Sequence, residues 1–593
     1  LYSNLISKAE GSTRNTYLTE CDILASALTR NVEITPQDIH YFKEKPAAGT
    51  HEISRTVEVS PERLTELIDI EIKVTNITSA AGAPRTHLTA MREGVNMETT
   101  LKYGNSISGY LKTKYAVVSV GRVMTCVLGM VVRREREIRE FVKTPFYRVL
   151  ATLEAEGKTF EGEWKAVKGS RYFESFDLYK ENGFKQKEKA QELIAYLKEK
   201  EPVTGQIAAI EKKKEKKNPP LLYNLAELQN DCSKRFKISP DETLRIVQEL
   251  YEKKLVTYPR TDARVLSTAV AKEISKNLNG LSKYGSVAVY LKEIAAMGTY
   301  KNLVKTRYVN DKQITDHYAI IPTGQGLSAL SSVSQAARNV YDCVVKRFLS
   351  IFYPPAVYQK VAVTVKIREE SFFSNFKVLA EEGYLKVAGI PQNAGEQSMD
   401  PQFFQVVQNL KKGAVLPVCA LDVKEGETSP PKRYNSGSMI LAMENAGQLI
   451  EDEELRAQIK GSGIGTSATR AEILKKLIHI KYLSLNKKTQ IITPTLQGEM
   501  VYDVVNQSIR SLLNPELTAS WEKGLTYVAD GEITPDEYMQ KLDHFIISRT
   551  EGVKRLNNQY QLKGFYDAAA KYYKKPVSSN RTSRKKENQK GES

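Results

Sequence analysis

The sequence is poor in the residues that build metal centres. Among its 593 residues there are five cysteines and six histidines. The cysteines stand singly, without a C-x-x-C pair, which excludes a zinc ribbon, and the histidines form no H-x-H or H-E-x-x-H pattern. An odd, sparse set of cysteines is typical of reduced thiols, so we expect a cytoplasmic protein.

The sequence also shows no recognisable signal peptide, no internal repeat and no clean apolar run of membrane-spanning length. The longest apolar stretch, 115–132, carries Arg122, and a charge near mid-span costs about 3 kcal/mol in a bilayer. We therefore predict that this stretch packs in a protein core and that the protein has no membrane partner. A chain that begins with Leu1 and not Met is expected to be a fragment or a processed form.

Negative charge is outnumbered. Lys and Arg total 87 against 70 Asp and Glu, a net charge of +17, while hydrophobic residues make up 41%. That composition excludes a wholly disordered or collagen-like chain. The basic excess favours a polyanionic partner, either nucleic acid or an acidic membrane surface, although solubility alone would also account for it.

Hydrophobic periodicity divides the chain into helical and strand-rich parts. Strands are predicted at 147–179, with a turn at Glu156-Gly157, and again at 255–258, 357–368 and 376–387. Helices are predicted at 57–72 with Ser60 as N-cap, 85–103, 117–141, 186–200, 225–236 and 241–254, the last of which is started by Ser239-Pro240. The run KKKEKKNPP at 212–220 predicts a domain boundary. Because strands return after 355, residues 221–355 are predicted to be a helical insertion into a split β domain. Residues 430–550 are predicted to be helical again.

The sharpest chemical feature is LVTYPRTDAR at 255–264. In an extended segment residues i and i+2 share a face, so Tyr258 and Arg260 can point into one site. A tyrosine hydroxyl, with a pKa near 10, is a weak nucleophile until its oxyanion is stabilised, and a guanidinium can supply that charge or bind a phosphate bidentately. The alternative is a core tyrosine beside a surface arginine.

Two further motifs carry one candidate each. In TDHYAIIPT (315–323), His317 can donate to a phosphate or move a proton, or it can be a structural histidine. In SVGRVMT (119–125), Arg122 stands within an apolar segment, so it needs a partner, which can be a phosphate or a structural carboxylate.

A glycine-rich segment, GSGIGTSATRAEILKKL at 461–477, precedes a predicted helix. Thr466 and Ser467 are good N-caps, and the free N–H groups of the loop together with Arg470 form a plausible phosphate site. The pair of short strands predicted after it (YLSLNKKTQIITPT) makes the segment similar to a winged helix. An ordinary capped helix is the alternative.

Taken together, these motifs resemble the type IA DNA topoisomerases, most closely the bacterial topoisomerase III group. PPLLYNLAELQNDCSKRF and PPKRYNSGSMILAMENAG add to the likeness, and all six segments follow the family's order over roughly 82–550. The resemblance implies that Tyr258 attacks a phosphodiester of single-stranded DNA and forms a 5′-phosphotyrosine without ATP. It assigns catalytic roles to Arg260 and His317, and DNA contacts to Arg122, Thr125, Ser467 and Arg470.

The resemblance also implies a multidomain α+β fold, a torus with a winged-helix-like base. The corresponding domains are an unassigned region 1–81, a DNA-binding base from 82–145 and 430–550, a β arch or hinge from 146–220 and 346–429, a helical tyrosine-bearing domain 221–345, and a basic tail 551–593. Implied partners are single-stranded and negatively supercoiled DNA and a helicase. The implied protein is a monomer, cytoplasmic and associated with the nucleoid.

One part of the family pattern is missing from this sequence. The family's N-terminal Toprim domain holds Mg²⁺ with a D-x-D-R-E-G-E run, and no such run is present, so Mg²⁺ is implied only by the resemblance and no metal ligand is predicted. Two hypotheses follow: a topoisomerase whose Toprim domain lies elsewhere, and a single-stranded DNA clamp without net activity. The position of Tyr258 fits a tyrosine recombinase less well, and the scattered histidines fit a relaxase less well.

Overall fold

The computed structural model describes residues 39–42, 56–59, 95–314, 317–390, 400–458 and 463–573. They belong to two compact units. The tyrosine unit comprises 133–442 and 486–492, and the flanking unit takes in 1–132, 443–485 and 493–593. Helices and strands are mixed in the described residues, in agreement with the α+β class.

The strands of the described residues, numbered in chain order, are β1 Ile39–Phe42, β2 Thr56–Val59, β3 Pro145–Ala155, β4 Lys158–Lys165, β5 Leu178–Lys180, β6 Gly183–Phe184, β7 Thr204–Lys217, β8 Ala356–Ile367, β9 Glu370–Glu381, β10 Val415–Glu427, β11 Leu483–Leu485 and β12 Ile492–Pro494. The α-helices are Met97–Leu111, Arg122–Glu140, Lys187–Lys198, Leu225–Phe236, Pro240–Glu252, Thr268–Lys272, Ile274–Gly280, Ala288–Met297, Gln335–Ser350, Leu385–Ala388, Pro401–Asn409, Ser436–Glu444, Glu453–Gln458, Arg470–His479, Leu496–Asn506, Pro515–Ala529, Pro535–Arg555 and Gln559–Ala570. None of the helices in these ranges has the length and apolar character needed to cross a bilayer.

The sheet of the tyrosine unit is built from two distant stretches of chain. Its order is β10-β7-β8-β9-β4-β3-β6-β5, all pairs are antiparallel, and β10 pairs with β3 as well as with β7. The strands from β3 to β10 along this order therefore close on themselves, which removes most free edges. The hairpin of β3 and β4 turns at Glu156 and Gly157, whose φ angles are +49° and +75°, so the predicted turn is confirmed.

The interior of this sheet is organised around Trp164. Its ring stacks on Phe184 at a centroid distance of 4.9 Å, and its indole N–H donates to the carboxylate of Glu370 at 2.6 Å. The second oxygen of Glu370 accepts from the backbone N–H of Arg171 at 2.7 Å. Because both oxygens are satisfied, the fully buried Glu370 carboxylate is tolerated in the core.

The lysine run that predicts a boundary forms the second half of β7. Lys212 to Lys217 pair with β8, from Lys212 opposite Val361 to Lys217 opposite Ala356. Strand β10 reaches only Thr204–Gln206 of β7, so in the described residues the lysine half is an edge strand. Lysines on an edge discourage pairing with another chain. The chain therefore leaves the sheet at the double proline 219–220, and the charge run itself is not a linker.

Local signals set the helices that follow. The side chain of Asn224 accepts from the N–H of Glu227 and begins Leu225–Phe236, and Ser239 accepts from the N–H of Glu242 at the start of Pro240–Glu252. Both predicted helices are confirmed, although the second ends before 254 because Lys254 adopts a left-handed φ of +60°. The strand predicted at 255–258 is wrong as a strand: it contains a single bridge, Val256 to Pro322.

The flanking unit is mainly helical. Helix Met97–Leu111 packs through Tyr103, whose hydroxyl donates to the side chain of Asn558 at 2.6 Å, and through Tyr110, whose ring lies 5.7 Å from that of Tyr566. The prediction that 115–132 is a core segment is confirmed for the greater part of its length, since most residues from Val118 to Val132 are buried, but Tyr115 and Val117 at its start are exposed. Strands β11 and β12 form the predicted hairpin.

Three predicted helix boundaries in this unit are wrong. Residues 57–59 belong to β2, which pairs with β1, because T-V-E-V is an alternating β-branched segment, and the rest of 57–72 lies outside the described residues. The helix predicted at 85–103 continues to Leu111, beyond its predicted end, while its predicted start lies in 85–94, outside the described residues. The helix predicted from 117 begins at Arg122, because 117–121 have no regular secondary structure.

Candidate active site

Two of the predicted motifs lie side by side in the tyrosine unit. Val256 forms an antiparallel bridge with Pro322, the N–H of Thr257 donates to the carbonyl of Ile321 at 3.0 Å, and the N–H of Thr323 donates to that of Leu255 at 3.0 Å. The segments 255–261 and 317–323, separated by over fifty residues of sequence, thus form one short antiparallel pair. Thr315 and Asp316, the first residues of the second motif, lie outside the described residues.

Two threonine side chains join these segments on either side of Tyr258. The hydroxyl of Thr257 donates to the carbonyl of Ala319 at 3.1 Å and accepts from the N–H of Ile321 at 3.0 Å. The buried hydroxyl of Thr261 donates to the carbonyl of His317 at 2.9 Å. Sequence reasoning missed both residues, although their signal was present: two hydroxyls flank the tyrosine within the motif.

The pairing brings Tyr258 and His317 into contact. Their rings lie 4.2 Å apart at 42°, and the ring of Tyr251 meets Tyr258 edge-on at 5.5 Å and 82°. Tyr258 is half-buried and His317 is exposed. Both line a cavity of about 560 Å³. A tyrosine held between two rings has one defined orientation, which a nucleophile requires.

Arg260 is placed differently. It is exposed, it does not line the cavity that Tyr258 and His317 share, and it makes no ion pair with the carboxylates of the described residues. Pro259 between the two residues is buried, and the bridge ends at Val256, so strand alternation does not carry through to Arg260. Within the part of the chain that the structure describes, its guanidinium therefore has no ion-pair partner and can bind an anion at the protein surface.

The segment after Tyr258 is anchored to the start of helix Leu225–Phe236. The N–H of Leu225 donates to the carbonyl of Thr261 at 3.1 Å, and the side-chain amide of Asn224 donates to that of Asp262 at 3.2 Å. Arg264 forms an ion pair with Glu227 at 2.8 Å. The loop that presents the tyrosine is thus held by main-chain and charged contacts, and not by packing alone.

A buried polar cluster supports the segment of His317 from behind. The carbonyl of Tyr223 accepts from the N–H of Ile320 at 2.8 Å, and the hydroxyl of Tyr223 donates to Asp231. Arg347 bonds the same carboxylate at 3.0 Å and lies 3.9 Å from the centre of the Tyr223 ring. Burial raises the pKa of Tyr223 well above its ordinary value, so it remains a neutral donor.

The predicted DNA contacts belong to the flanking unit and are buried. Arg122 is 6% exposed, and its guanidinium bonds Glu522 at 3.2 Å and the carbonyl of Thr518 at 3.4 Å. Burial lowers the pKa of Arg122 and raises that of Glu522, since each charge is withdrawn from water. The sequence allows Arg122 either a phosphate or a carboxylate as its partner, and the structure shows the carboxylate of Glu522.

The other three residues also have local contacts. The hydroxyl of Thr125 accepts from the N–H of Gly121 at 2.9 Å. Arg470 is fully buried, and its Nε donates to the carbonyl of Ile464 at 3.4 Å. Ser467 is buried in the turn before helix Arg470–His479. The predicted caps Thr466 and Ser467 are wrong: Thr469 is the N-cap residue, because the carbonyl of Thr466 already accepts from the N–H groups of Thr469 and Arg470.

Tyr482 connects two of the motifs in the flanking unit. Its hydroxyl accepts from the N–H of Ser119 at 2.8 Å and donates to the carbonyl of Val117 at 3.1 Å. Burial raises the pKa of Tyr482 to about 12. The irregular segment before Arg122 is therefore fixed against the chain that follows helix Arg470–His479.

The described residues do not fit a magnesium site. They contain no group of three or more His, Cys, Asp or Glu residues placed to hold a metal ion. Among the described residues on the wall of the cavity beside Tyr258, Glu252 is the one carboxylate. Mg²⁺ needs several oxygen ligands in near-octahedral geometry, so no reaction step is assigned to it.

Comparisons with known proteins agree with these motifs. A family model described as DNA topoisomerase matches residues 97–540. DNA topoisomerase 3 of Bacillus subtilis is 33% identical over 456 residues, which cover 76% of this chain and 59% of that protein. DNA topoisomerase 3 of Bacillus licheniformis is 32% identical over the same shares. The chain thus spans about three fifths of the length of these relatives.

A solved structure shares the fold. The full-length topoisomerase I of Thermotoga maritima aligns with a TM-score of 0.56 over 84% of this chain and 73% of that one, at 20% sequence identity. At that identity the likeness concerns the fold alone.

Proposed function

Because the chain belongs to the DNA topoisomerase family, we propose that it is the strand-cleaving part of a type IA enzyme of the topoisomerase III kind. The observation that carries the proposal is the contact of Tyr258 with His317 in a cavity at the surface, with Thr257 and Thr261 holding their segments together. A tyrosine with a merely structural role would not need an open cavity in front of its ring.

The proposed reaction is a transesterification. The hydroxyl oxygen of Tyr258 attacks the phosphorus of a single-stranded DNA phosphodiester, the new O–P bond replaces the P–O3′ bond, and the 3′ oxygen leaves as a hydroxyl after taking up a proton. The number of phosphoester bonds is unchanged, so no ATP is consumed. Attack of the 3′-hydroxyl on the phosphotyrosine restores the strand after another strand has passed.

The side chains around Tyr258 have distinct proposed roles. His317 packs on the ring, orients it and presents a nitrogen at the same cavity for a hydrogen bond to phosphate or for proton transfer. Arg260, exposed and without an ion pair in the described region, binds the phosphate as substrate arrives and stabilises its added negative charge.

The remaining assignments are proposals that rest on the family. We take 146–220 and 346–429 as the hinge, 221–345 as the tyrosine-bearing domain, and 82–145 with 430–550 as a DNA-binding base with a winged-helix-like part; the toroidal fold stays a prediction. Arg122, Thr125, Ser467 and Arg470 would act in that base, and for Arg122 a phosphate would have to replace Glu522. The proposed substrates are single-stranded and negatively supercoiled DNA, and the proposed partner is a helicase. The protein is proposed to be a monomer that associates with the nucleoid.

Covalent trapping tests the proposal. Single-stranded DNA labelled at its 3′ end is incubated with the protein and then denatured, so that a 5′-phosphotyrosine leaves label on the protein. We expect a labelled adduct with the wild type and none with Tyr258→Phe, while Tyr179→Phe, a tyrosine elsewhere on the same unit, behaves as the wild type. Label on Tyr258→Phe would refute the role of this residue. Binding of single strands without any adduct would favour the clamp hypothesis for this chain.

A further inference from the structure

The cavity beside Tyr258 is larger than the reaction of a single hydroxyl requires. Its volume of about 560 Å³ is in the range of small-molecule sites. Besides Tyr258 and His317, its wall includes Tyr251, Tyr318, Lys254 and Gln325. The proposed reaction uses none of these four to bind DNA, and only Tyr251 has a role so far, in its edge contact with the ring of Tyr258. Aromatic faces beside an amide and an ammonium group are the surfaces that bind a base and a phosphate.

The walls of this cavity are fixed before any ligand binds. The N–H of Gln325 donates to the hydroxyl of Thr323 at 3.0 Å, and that hydroxyl donates to the carbonyl of Lys254. Gly326 approaches so closely that a Cβ atom there would lie 2.2 Å from the carbonyl oxygen of Lys253. The loop 323–326 is therefore held against the end of helix Pro240–Glu252, which carries Tyr251.

The chemistry decides which nucleotide is nearby. When Tyr258 becomes linked to the phosphate, the P–O3′ bond breaks, and the phosphate stays on the 5′ oxygen of the downstream nucleotide. That nucleotide is then tethered to the tyrosine by one phosphodiester bridge. Its base therefore lies within one nucleotide's length of Tyr258, which is the reach of a cavity that Tyr258 itself lines.

We propose that this cavity is the binding site for the nucleotide immediately downstream of the break. Its base packs on the exposed ring of Tyr251, the Gln325 amide reaches the base edge, and Lys254 meets the following phosphate. The proposal rests on the proposed function, because it takes Tyr258 as the nucleophile. It explains how the 5′ side of a cut strand is held during strand passage by non-covalent contacts in addition to its covalent bond to Tyr258. It also predicts a base preference at this position.

The test measures binding and not cleavage, so it is independent of the proposed reaction. Short single strands with a 5′-phosphate reproduce the downstream side of the break, and their affinity for the full chain is measured by fluorescence anisotropy. Each strand is prepared with an intact or an abasic first nucleotide. Base stacking on an aromatic side chain is worth roughly 5- to 100-fold in affinity. We expect the abasic strand to bind the wild type about tenfold more weakly.

Variants locate the effect. In Tyr251→Leu, the loss of affinity of the abasic strand relative to the intact strand should fall to about twofold or less, and Tyr251→Phe should restore the full loss. The control is Phe176→Leu, at a 94% exposed aromatic residue elsewhere on the unit, which should keep the full loss. Gln325→Leu, at an exposed loop position, should alter the ranking of the four bases at the first nucleotide. An unchanged loss in Tyr251→Leu together with an unchanged ranking in Gln325→Leu would overturn the proposal. It would leave the role of Tyr258 intact, since that role is tested separately by the covalent adduct and its loss in Tyr258→Phe.

Discussion

At the scale of single residues, buried charges in this protein are matched by near neighbours. Glu135 shows this most clearly. Arg433 binds its two oxygens at 2.7 and 2.9 Å, and Arg139 approaches at 3.5 Å. These hydrogen bonds to Arg433 hold the pKa of the Glu135 carboxyl below its usual value. A carboxyl whose pKa is depressed in the folded state stabilises the fold above its unfolded pKa and loses that contribution as the pH falls.

The first prediction follows from the lowered pKa of Glu135 in the folded state. Glu135→Gln should lower the free energy of unfolding by about 3 kcal/mol at neutral pH, because two guanidinium groups lose their buried partner. The difference from the wild type should shrink as the pH falls from the unfolded-state pKa of about 4.3 through the lower folded-state pKa of Glu135, because the wild-type carboxyl then takes up a proton. Denaturant titrations at several pH values measure it. Glu137→Gln, at a 58% exposed position, is the control and should change the stability by under about 0.5 kcal/mol. A difference independent of pH would contradict this prediction.

At the scale of elements, side chains and not a regular strand hold the reactive pair together. The single bridge at Val256 is supplemented by Thr257 and Thr261, which span the gap between the two motif segments. Short side chains at fixed positions define the register of two segments that meet only briefly. The orientation of Tyr258 on His317 depends on that register.

We therefore predict that Thr261→Val lowers the rate of adduct formation by about tenfold or more, because one hydrogen bond to a buried carbonyl is worth about 1–3 kcal/mol when left unmade. Affinity for single-stranded DNA should change little, since Thr261 is buried and its hydroxyl already donates to the carbonyl of His317. Thr261→Ser, which keeps the hydroxyl, should restore the rate. Equal losses of rate and affinity would show that the residue acts only on folding.

Two glycines provide a matched test of the loop that closes the cavity. Gly326 and Gly298 have left-handed φ angles of +67° and +62°. A Cβ atom added at Gly326 would collide with the backbone, whereas one added at Gly298 would have no atom within 4 Å. Gly298→Ala should cost about 1 kcal/mol from backbone strain. Gly326→Ala should cost at least about 2 kcal/mol more, as measured by thermal unfolding, because the new methyl group forces the backbone apart. Similar losses for both variants would mean that the loop yields without cost.

Sequence reasoning succeeded where the determinants were local. The cap of Ser239 with Pro240, and the turn at Glu156-Gly157, are set by adjacent residues and were predicted correctly. Sequence reasoning failed where the structure of a segment depends on a distant partner. The lysine run was not predicted as a strand, and it forms one because β8, some 140 residues later, pairs with it. The motifs indicated Tyr258 and His317, but not that Glu522, 400 residues from Arg122, occupies its guanidinium.

At the scale of the whole molecule, charge and chain length matter most. The net charge is +17, and residues 571–593 hold eight Lys or Arg and two Glu. The chain spans about 59% of the length of the Bacillus relatives, and this share includes the tyrosine motif. A basic tail adds affinity for any nucleic acid strand and makes that affinity sensitive to salt.

Removal of residues 574–593 should therefore weaken single-strand binding equally for all sequences. For single strands the salt slope falls by about 0.7 for each phosphate that the protein no longer neutralises, so a reduction of about 2 to 4 is expected. Adduct formation at saturating DNA should be unchanged. Affinity measured from low to moderate salt checks this, and an unchanged slope would show that the tail does not touch DNA.

The central claim is that Tyr258 becomes covalently linked to DNA. The most direct measurement is to digest the trapped protein–DNA adduct with trypsin and a nuclease and to identify the modified peptide by mass spectrometry. Cleavage after Lys254 and Arg260 releases 255–260, in which Tyr258 is the one tyrosine. We predict that this peptide carries a nucleotide through its tyrosine. A nucleotide on any other residue, or an unmodified 255–260 peptide in a verified adduct, would contradict the claim.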